Sequence, residues 1–182
     1  QNDVVKPLEN DKEAPAPVRD VTYTKMSGSV LLTYTLPSDP DLLYVAASYT
    51  NKAGKKYEFK ASYFTNTLLV EGFGDTDTYS LDVYAVDRSE NYSEPVNIQV
   101  AADTPPVQAA YETLEVQPDF GGMTFSFDNA SKADLTVYVS TPNADNEMVN
   151  AETFYTGLAK ATFSVRGFLD VPRDLEICFE DK

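Results

Sequence analysis

Along most of this chain apolar and polar residues alternate one by one, the period of strands with one buried face. The clearest run spans residues 78–95. There Tyr79, Leu81, Val83 and Ala85 alternate with Ser80, Asp82 and Tyr84, a polar turn follows at 87–91, and Val96, Ile98 and Val100 resume the pattern behind Pro95. Shorter runs predict strands at 18–25, 30–36, 43–49, 56–62 and 67–73 ahead of this hairpin. Others predict strands at 111–117, 122–127, 135–139, 148–155, 160–165 and 174–180 behind it. No stretch shows the 3.6-residue period of an amphipathic helix, so the expected class is all-β.

Proline breaks the rhythm twice, at Pro15-Ala16-Pro17 and at Asp103-Thr104-Pro105-Pro106. Extended proline segments of this kind mark boundaries. They divide the chain into a polar tether (1–14), a first domain (15–104) and a second (105–182). The two domains read as copies of one unit. Residues 32–36 match 123–127, Asp41-Leu42 matches Asp134-Leu135, residues 70–73 match 165–168, and residues 81–84 match 175–178. The second copy is expected to lack the final strand within these 182 residues. Its sheet would then be completed by a continuing polypeptide or by a partner, because an unpaired edge invites strand pairing.

The hairpin with Tyr79, Asp87, Asn91, Ser93 and Pro95 resembles the end hairpin of a fibronectin type III domain. Tyr79 stands at the tyrosine-corner position, where the hydroxyl bonds upstream backbone. Glu90 occupies a place where such hairpins often carry glycine, and Arg173 stands near the corresponding tyrosine position of the second copy. The resemblance implies two tandem fibronectin type III or immunoglobulin-like β-sandwiches, the second divergent. The whole arrangement is similar to a family of surface lipoproteins of gut Bacteroidetes, in which two domains of unknown function precede a discoidin-like module. That resemblance implies a lipid anchor upstream of Gln1, residence at the cell surface or outer membrane (the periplasm being the alternative), and work alongside polysaccharide utilisation.

Charge and residue content narrow the chemistry. A formal net charge of −15, from 14 basic and 29 acidic residues, argues against nucleic acid and anionic membranes as partners. There is no histidine, which excludes Ser-His-Asp and Cys-His catalysis and histidine-bearing zinc sites. The single cysteine, Cys178, reads as a semi-buried small apolar residue. No run reaches the roughly 18 apolar residues needed to span a bilayer, and none reads as a signal peptide. Asn91-Tyr92-Ser93 and Asn129-Ala130-Ser131 fit the N-glycosylation pattern, which a bacterial origin would leave unused.

Candidate sites are few. Asp39 and Asp41 flank Pro40 and are the metal candidates, for calcium. A full calcium site takes about six to eight oxygens, however, so turn capping is the preferred role for Asp41. Tyr79, Asp87 and Pro95 are expected to be structural. With no tryptophan in the chain, a sugar platform would fall to tyrosines, and Tyr44, Tyr49, Tyr57, Tyr63 and Tyr155 are the candidates. Part of such an alternating set belongs to the core. No catalytic pair and no cofactor are expected. The preferred reading is a monomeric, non-enzymatic surface accessory protein that spaces a carbohydrate-binding module. The alternatives are direct glycan binding through exposed tyrosines, and adhesion to other surface proteins by strand addition at the open edge.

Overall fold

In a computed structural model, residues 12–168 and 173–181 are described; most of the expected tether lies outside them. The chain divides into two compact units between Asp103 and Thr104. In the first unit β1 (Arg19–Met26), β2 (Ser29–Thr35) and β5 (Thr67–Glu71) form one sheet in the order β1-β2-β5. The other sheet holds β3 (Leu42–Thr50), β4 (Lys56–Ser62), β6 (Thr78–Asp87) and β7 (Val96–Ala101), in the order β4-β3-β6-β7. Every pairing is antiparallel. Three strands facing four in this order make a fibronectin type III sandwich.

Alternation explains the core. Leu32 from β2, Val45 and Ala47 from β3, Leu81 and Val83 from β6 and Val100 from β7 all point inward and are fully buried. At about 25 cal/mol per Å² the Leu and Val side chains among them each contribute roughly 1.5–3 kcal/mol of transfer free energy. Tyr34 is buried among them and donates its hydroxyl to the Thr67 carbonyl at 3.3 Å. Burial pushes its pKa up to about 12.

The second unit repeats the plan with one change at each end. Its sheets run β12-β9-β8 and β11-β10-β13, built from β8 (Glu115–Asp119), β9 (Gly122–Asp128), β10 (Leu135–Pro142), β11 (Met148–Thr156), β12 (Lys160–Arg166) and β13 (Glu176–Asp181). Where β6 is paired on both sides, β13 pairs with β10 alone among the described residues. Its inward residues Ile177 and Phe179 are half-buried, whereas Leu81 and Val83 are fully buried.

At the other end stands an element the alternation did not predict. Residues 106–112 form a short helix, α1 (Pro106–Glu112), and β8 begins only at Glu115, so the strand expected at 111–117 is corrected. Pro106 sits in the first helical turn, where its missing N–H costs nothing. Val107, Ala110 and Leu114 recur at helical spacing and pack into the second core, Ala110 without exposure. Thr113 ties the helix end down: its hydroxyl donates to the Ala109 carbonyl at 3.0 Å and accepts from the Asp128 amide at 2.9 Å. The helix packs on β13 and β9 and so covers apolar surface beside the singly paired strand.

Gly122 fixes the spacing of β9 and β12. A Cβ there would lie 1.8 Å from the Val165 carbonyl oxygen, so only glycine permits this approach.

Candidate functional site

The turn between β6 and β7 is built on Asp87, which is only 1% exposed. One carboxylate oxygen accepts the amides of Ser89 (2.8 Å) and Asn91 (2.9 Å), and the other accepts the Asn91 side-chain amide (2.8 Å). Glu90 adopts φ 63°, the left-handed conformation that glycine would favour there. Beyond the turn, the Ser93 hydroxyl accepts the Ala85 amide at 2.9 Å. Exposed Pro95 stands immediately before β7, where a missing N–H costs no ladder bond. The Asp41 carbonyl accepts the Arg88 amide at 3.0 Å, which joins this turn to the one before β3. In that earlier turn the Asp39 carboxylate accepts the Asp41 amide at 3.2 Å. Asp39 and Asp41 thus act in local turn geometry, and no group of three or more potential metal-ligating side chains is found among the described residues.

Tyr79 departs from the expected corner. Its hydroxyl donates to the Asp75 carboxylate at 3.0 Å, not to backbone. Burial first and this hydrogen bond second raise its pKa. Asp75 in turn binds Lys52 at 2.6 Å, and Lys52 also pairs with Asp77. The Lys52 contact, followed by the Asp77 amide, lowers the pKa of Asp75.

The five candidate tyrosines separate by the face they occupy. Tyr49 is 3% exposed, lies 4.7 Å from Phe73 and 5.3 Å from Tyr57 (ring centroids), and donates its hydroxyl to the Glu71 carbonyl. Burial lifts its pKa to about 12. It presents no ring to a ligand, which corrects its candidacy. Tyr57 and Tyr63 also pack against the first core, Tyr57 because it pairs with Tyr49 across β3 and β4. Exposed Phe64 lies on Tyr63, with centroids 4.1 Å apart. Tyr155 is 67% exposed on the outer face of β11, beside a shallow depression of about 280 Å³ with Asp134, Leu135, Thr156 and Gly157. Cys178 is exposed on the outer face of β13, not semi-buried. Partial desolvation by its neighbours and then Glu176 raise its thiol pKa.

Tyr44 is the member of the set that belongs to a larger constellation, on the outer face of the β4-β3-β6-β7 sheet. Its hydroxyl lies 3.3 Å from that of Tyr92, and the Tyr92 ring meets Tyr84 edge-on at 5.8 Å. The Lys60 ammonium stands 4.7 Å above the Tyr44 ring, within 3.4 Å of its hydroxyl and 3.0 Å from Glu58. The pKa of Lys60 rises to about 12 through Glu58 and then Tyr44, and that of Tyr92 to about 12 chiefly through Tyr44. Burial raises that of Tyr84.

Two apolar residues beneath this group lie outside the sandwich core. Ala46 pairs with Lys60 and Tyr84 across the neighbouring strands, and Val86 pairs with Tyr44 and bridges to Tyr92. Both are essentially buried although they belong to the outward-facing set. This sheet therefore carries a small apolar layer on its solvent side as well as on its core side. Alongside it runs a polar strip, in which the Asn97 amide donates to Ser80 and to Asp82, both at 2.7 Å. Sequence reasoning missed Tyr84 and Tyr92. The available signal was an aromatic at an outward position of β6 and another just past the turn, where polar residues are expected.

Residues 15–102 match the model of a domain of unknown function, DUF4959, and residues 103–182 match a second, DUF5126. No curated protein matches the sequence. Among solved structures, the chain is similar to a two-domain fibronectin type III segment of chicken tenascin, at 16% identity and a TM-score of 0.45, over 88% of this chain and 98% of that one. It is also similar to the central fibronectin III array of RIM-binding protein (16% identity, TM-score 0.39, 94% of this chain and 62% of that one). A third is the chitinase ChiA74 of Bacillus thuringiensis (17%, 0.42, 93% of this chain and 29% of that one).

Proposed function

We propose that this chain is a non-enzymatic accessory protein of a bacterial cell surface, whose serial sandwiches hold a carbohydrate-binding function away from the membrane. The observation that carries this reading is the joint between the units. Asp103 is tied to the first unit by hydrogen bonds with Met26 and Gly28, and α1 of the second unit begins at Pro106. Only Thr104 and Pro105 intervene. Two units that each pack a core of their own, joined in sequence by a two-residue connection with a proline, suit a spacer built from serial modules.

The placement of the carboxylates supports a non-catalytic role. Among the described residues Asp87 is the one fully buried charged side chain, and three turn hydrogen bonds engage it. Catalytic carboxylates instead sit in a cleft with at least one aimed at the substrate. Surface display is tested by treating intact cells with a non-penetrating protease and blotting for this protein. Digestion on intact cells is the expected result; survival until the cells are lysed would refute it.

A further inference from the structure

We propose that the outer face of the β4-β3-β6-β7 sheet is a binding site for a neutral polysaccharide, with Tyr84 and Tyr92 as the stacking rings. The proposal deepens the accessory reading by assigning the sugar contact to this chain's first unit. Three features of the face support it.

The first is that the rings lie where core packing does not require them. They stand on the solvent side of the sheet, and Tyr92 is 45% exposed. Beneath them Ala46 and Val86 form an apolar floor that holds the array in place. Lys60 already occupies the space over the Tyr44 ring, so Tyr44 positions its neighbours through its hydroxyl while Tyr84 and Tyr92 remain for a ligand.

The second is the polar strip. A sugar ring presents an apolar C–H face and a rim of hydroxyls, so it is matched by an aromatic surface bordered by amides and carboxylates. Asn97 and Asp82 supply that border and are oriented by their mutual 2.7 Å hydrogen bond. Oriented polar groups reduce the ordering cost of binding.

The third is charge. The chain carries −15 overall, and on this face Glu58 and Asp82 offset Lys60 and Lys56, Lys60 being paired with Glu58. A polyanionic glycan would meet the repulsion of a strongly acidic chain at a face that carries no net positive charge to offset it. A neutral chain meets neither obstacle.

The test is affinity electrophoresis of the full 182-residue chain through gels containing xyloglucan, galactomannan or mixed-linkage β-glucan, with polygalacturonate as the polyanion. Retardation by at least one neutral polysaccharide and none by polygalacturonate is expected. Tyr92→Ala and Tyr84→Ala should each weaken binding roughly tenfold, the size of one lost stacking contact. Tyr92→Phe, which keeps the ring but loses the hydroxyl contact with Tyr44, should weaken binding less than Tyr92→Ala. Asn97→Ala is a second probe, because an exposed strand residue can be changed without loss of the fold, and it too should weaken binding. Uniform migration would overturn the proposal, as would retardation by polygalacturonate alone or retardation indifferent to both tyrosine changes. Self-association of the chain that Tyr92→Ala abolishes would also overturn it, by showing a second copy on this face. The gels read purified protein, so their failure leaves surface display standing, and failure of the protease test leaves the site standing.

Discussion

Replacing Asp87 with alanine should destabilise the first unit more than any other single change in its turns. The carboxylate accepts three hydrogen bonds while almost wholly buried. Bonds to an ionised acceptor are worth about 1.5–3 kcal/mol each when donor and acceptor are both shielded. Ser89 and Asn91 are half-exposed and can recover water, and removal of the charge also relieves its desolvation. Roughly 1 kcal/mol per bond, or about 3 kcal/mol together, is the expected net cost. For a unit of this size each kcal/mol moves the melting temperature by about 4–8 °C, so the drop should be roughly 12–24 °C. Asp87→Asn keeps one oxygen for the two backbone amides and should cost only about 1 kcal/mol. Differential scanning calorimetry of the full chain reads both variants. An Asp87→Ala transition within two degrees or so of wild type, or an asparagine variant below the alanine variant, would refute the assignment of this carboxylate as the organiser of the turn.

Gly122→Ala should lower the melting temperature of the second unit, at a cost of about 2–4 kcal/mol, because the new methyl overlaps the Val165 carbonyl and the strands must separate; calorimetry checks it. Tyr49→Phe should cost about 1 kcal/mol for the hydrogen bond to Glu71, and Tyr49→Ala about 3–5 kcal/mol for the cavity, both read by urea denaturation. The Lys52–Asp75 contact should give a small, salt-sensitive pH dependence of stability. The pKa of Asp75 is depressed, so its contribution is present above the unfolded carboxylate value and lost as pH falls through the folded one. That of Lys52 is raised, so its contribution is present below the unfolded lysine value and lost as pH rises through the folded one. The difference in melting temperature between wild type and Lys52→Met should therefore be greatest between these limits and should narrow at both.

The sandwich fold was legible because period-2 alternation records which face is buried, and in β2, β6 and β9 that pattern is nearly unbroken. The helix at residues 106–112 was not. Seven residues give barely two helical turns, and the apolar trio Val107, Ala110 and Leu114 is too sparse to outweigh the alternation of Leu114 and Val116 that follows it. The tyrosines were legible as a group but not by face. Tyr44 and Tyr49 belong to one strand five residues apart, so alternation does place them on opposite sides. What it cannot show is which strands neighbour them, and the Tyr44 cluster depends on β6 and on the residue that follows the turn.

The two-sided burial of β3 bears on how that strand finds its place. From Val45 to Tyr49 every residue is buried, so the strand has no solvent-facing set over five positions. A slip by one residue ordinarily turns an apolar set out into water, and that penalty is what sets pairing. Here the slip would exchange Val45 and Ala47 for Ala46 and Ser48, a weak penalty on polarity alone. Alignment must come instead from bulk at Tyr49, whose ring packs among Phe73, Tyr57, Phe59 and Tyr79, and from the Asp41–Arg88 backbone bond that clamps the far end of the strand. Substitutions at either clamp therefore threaten the uniqueness of the strand's alignment, and misaligned chains would keep their β content while losing the Tyr84–Tyr92 array.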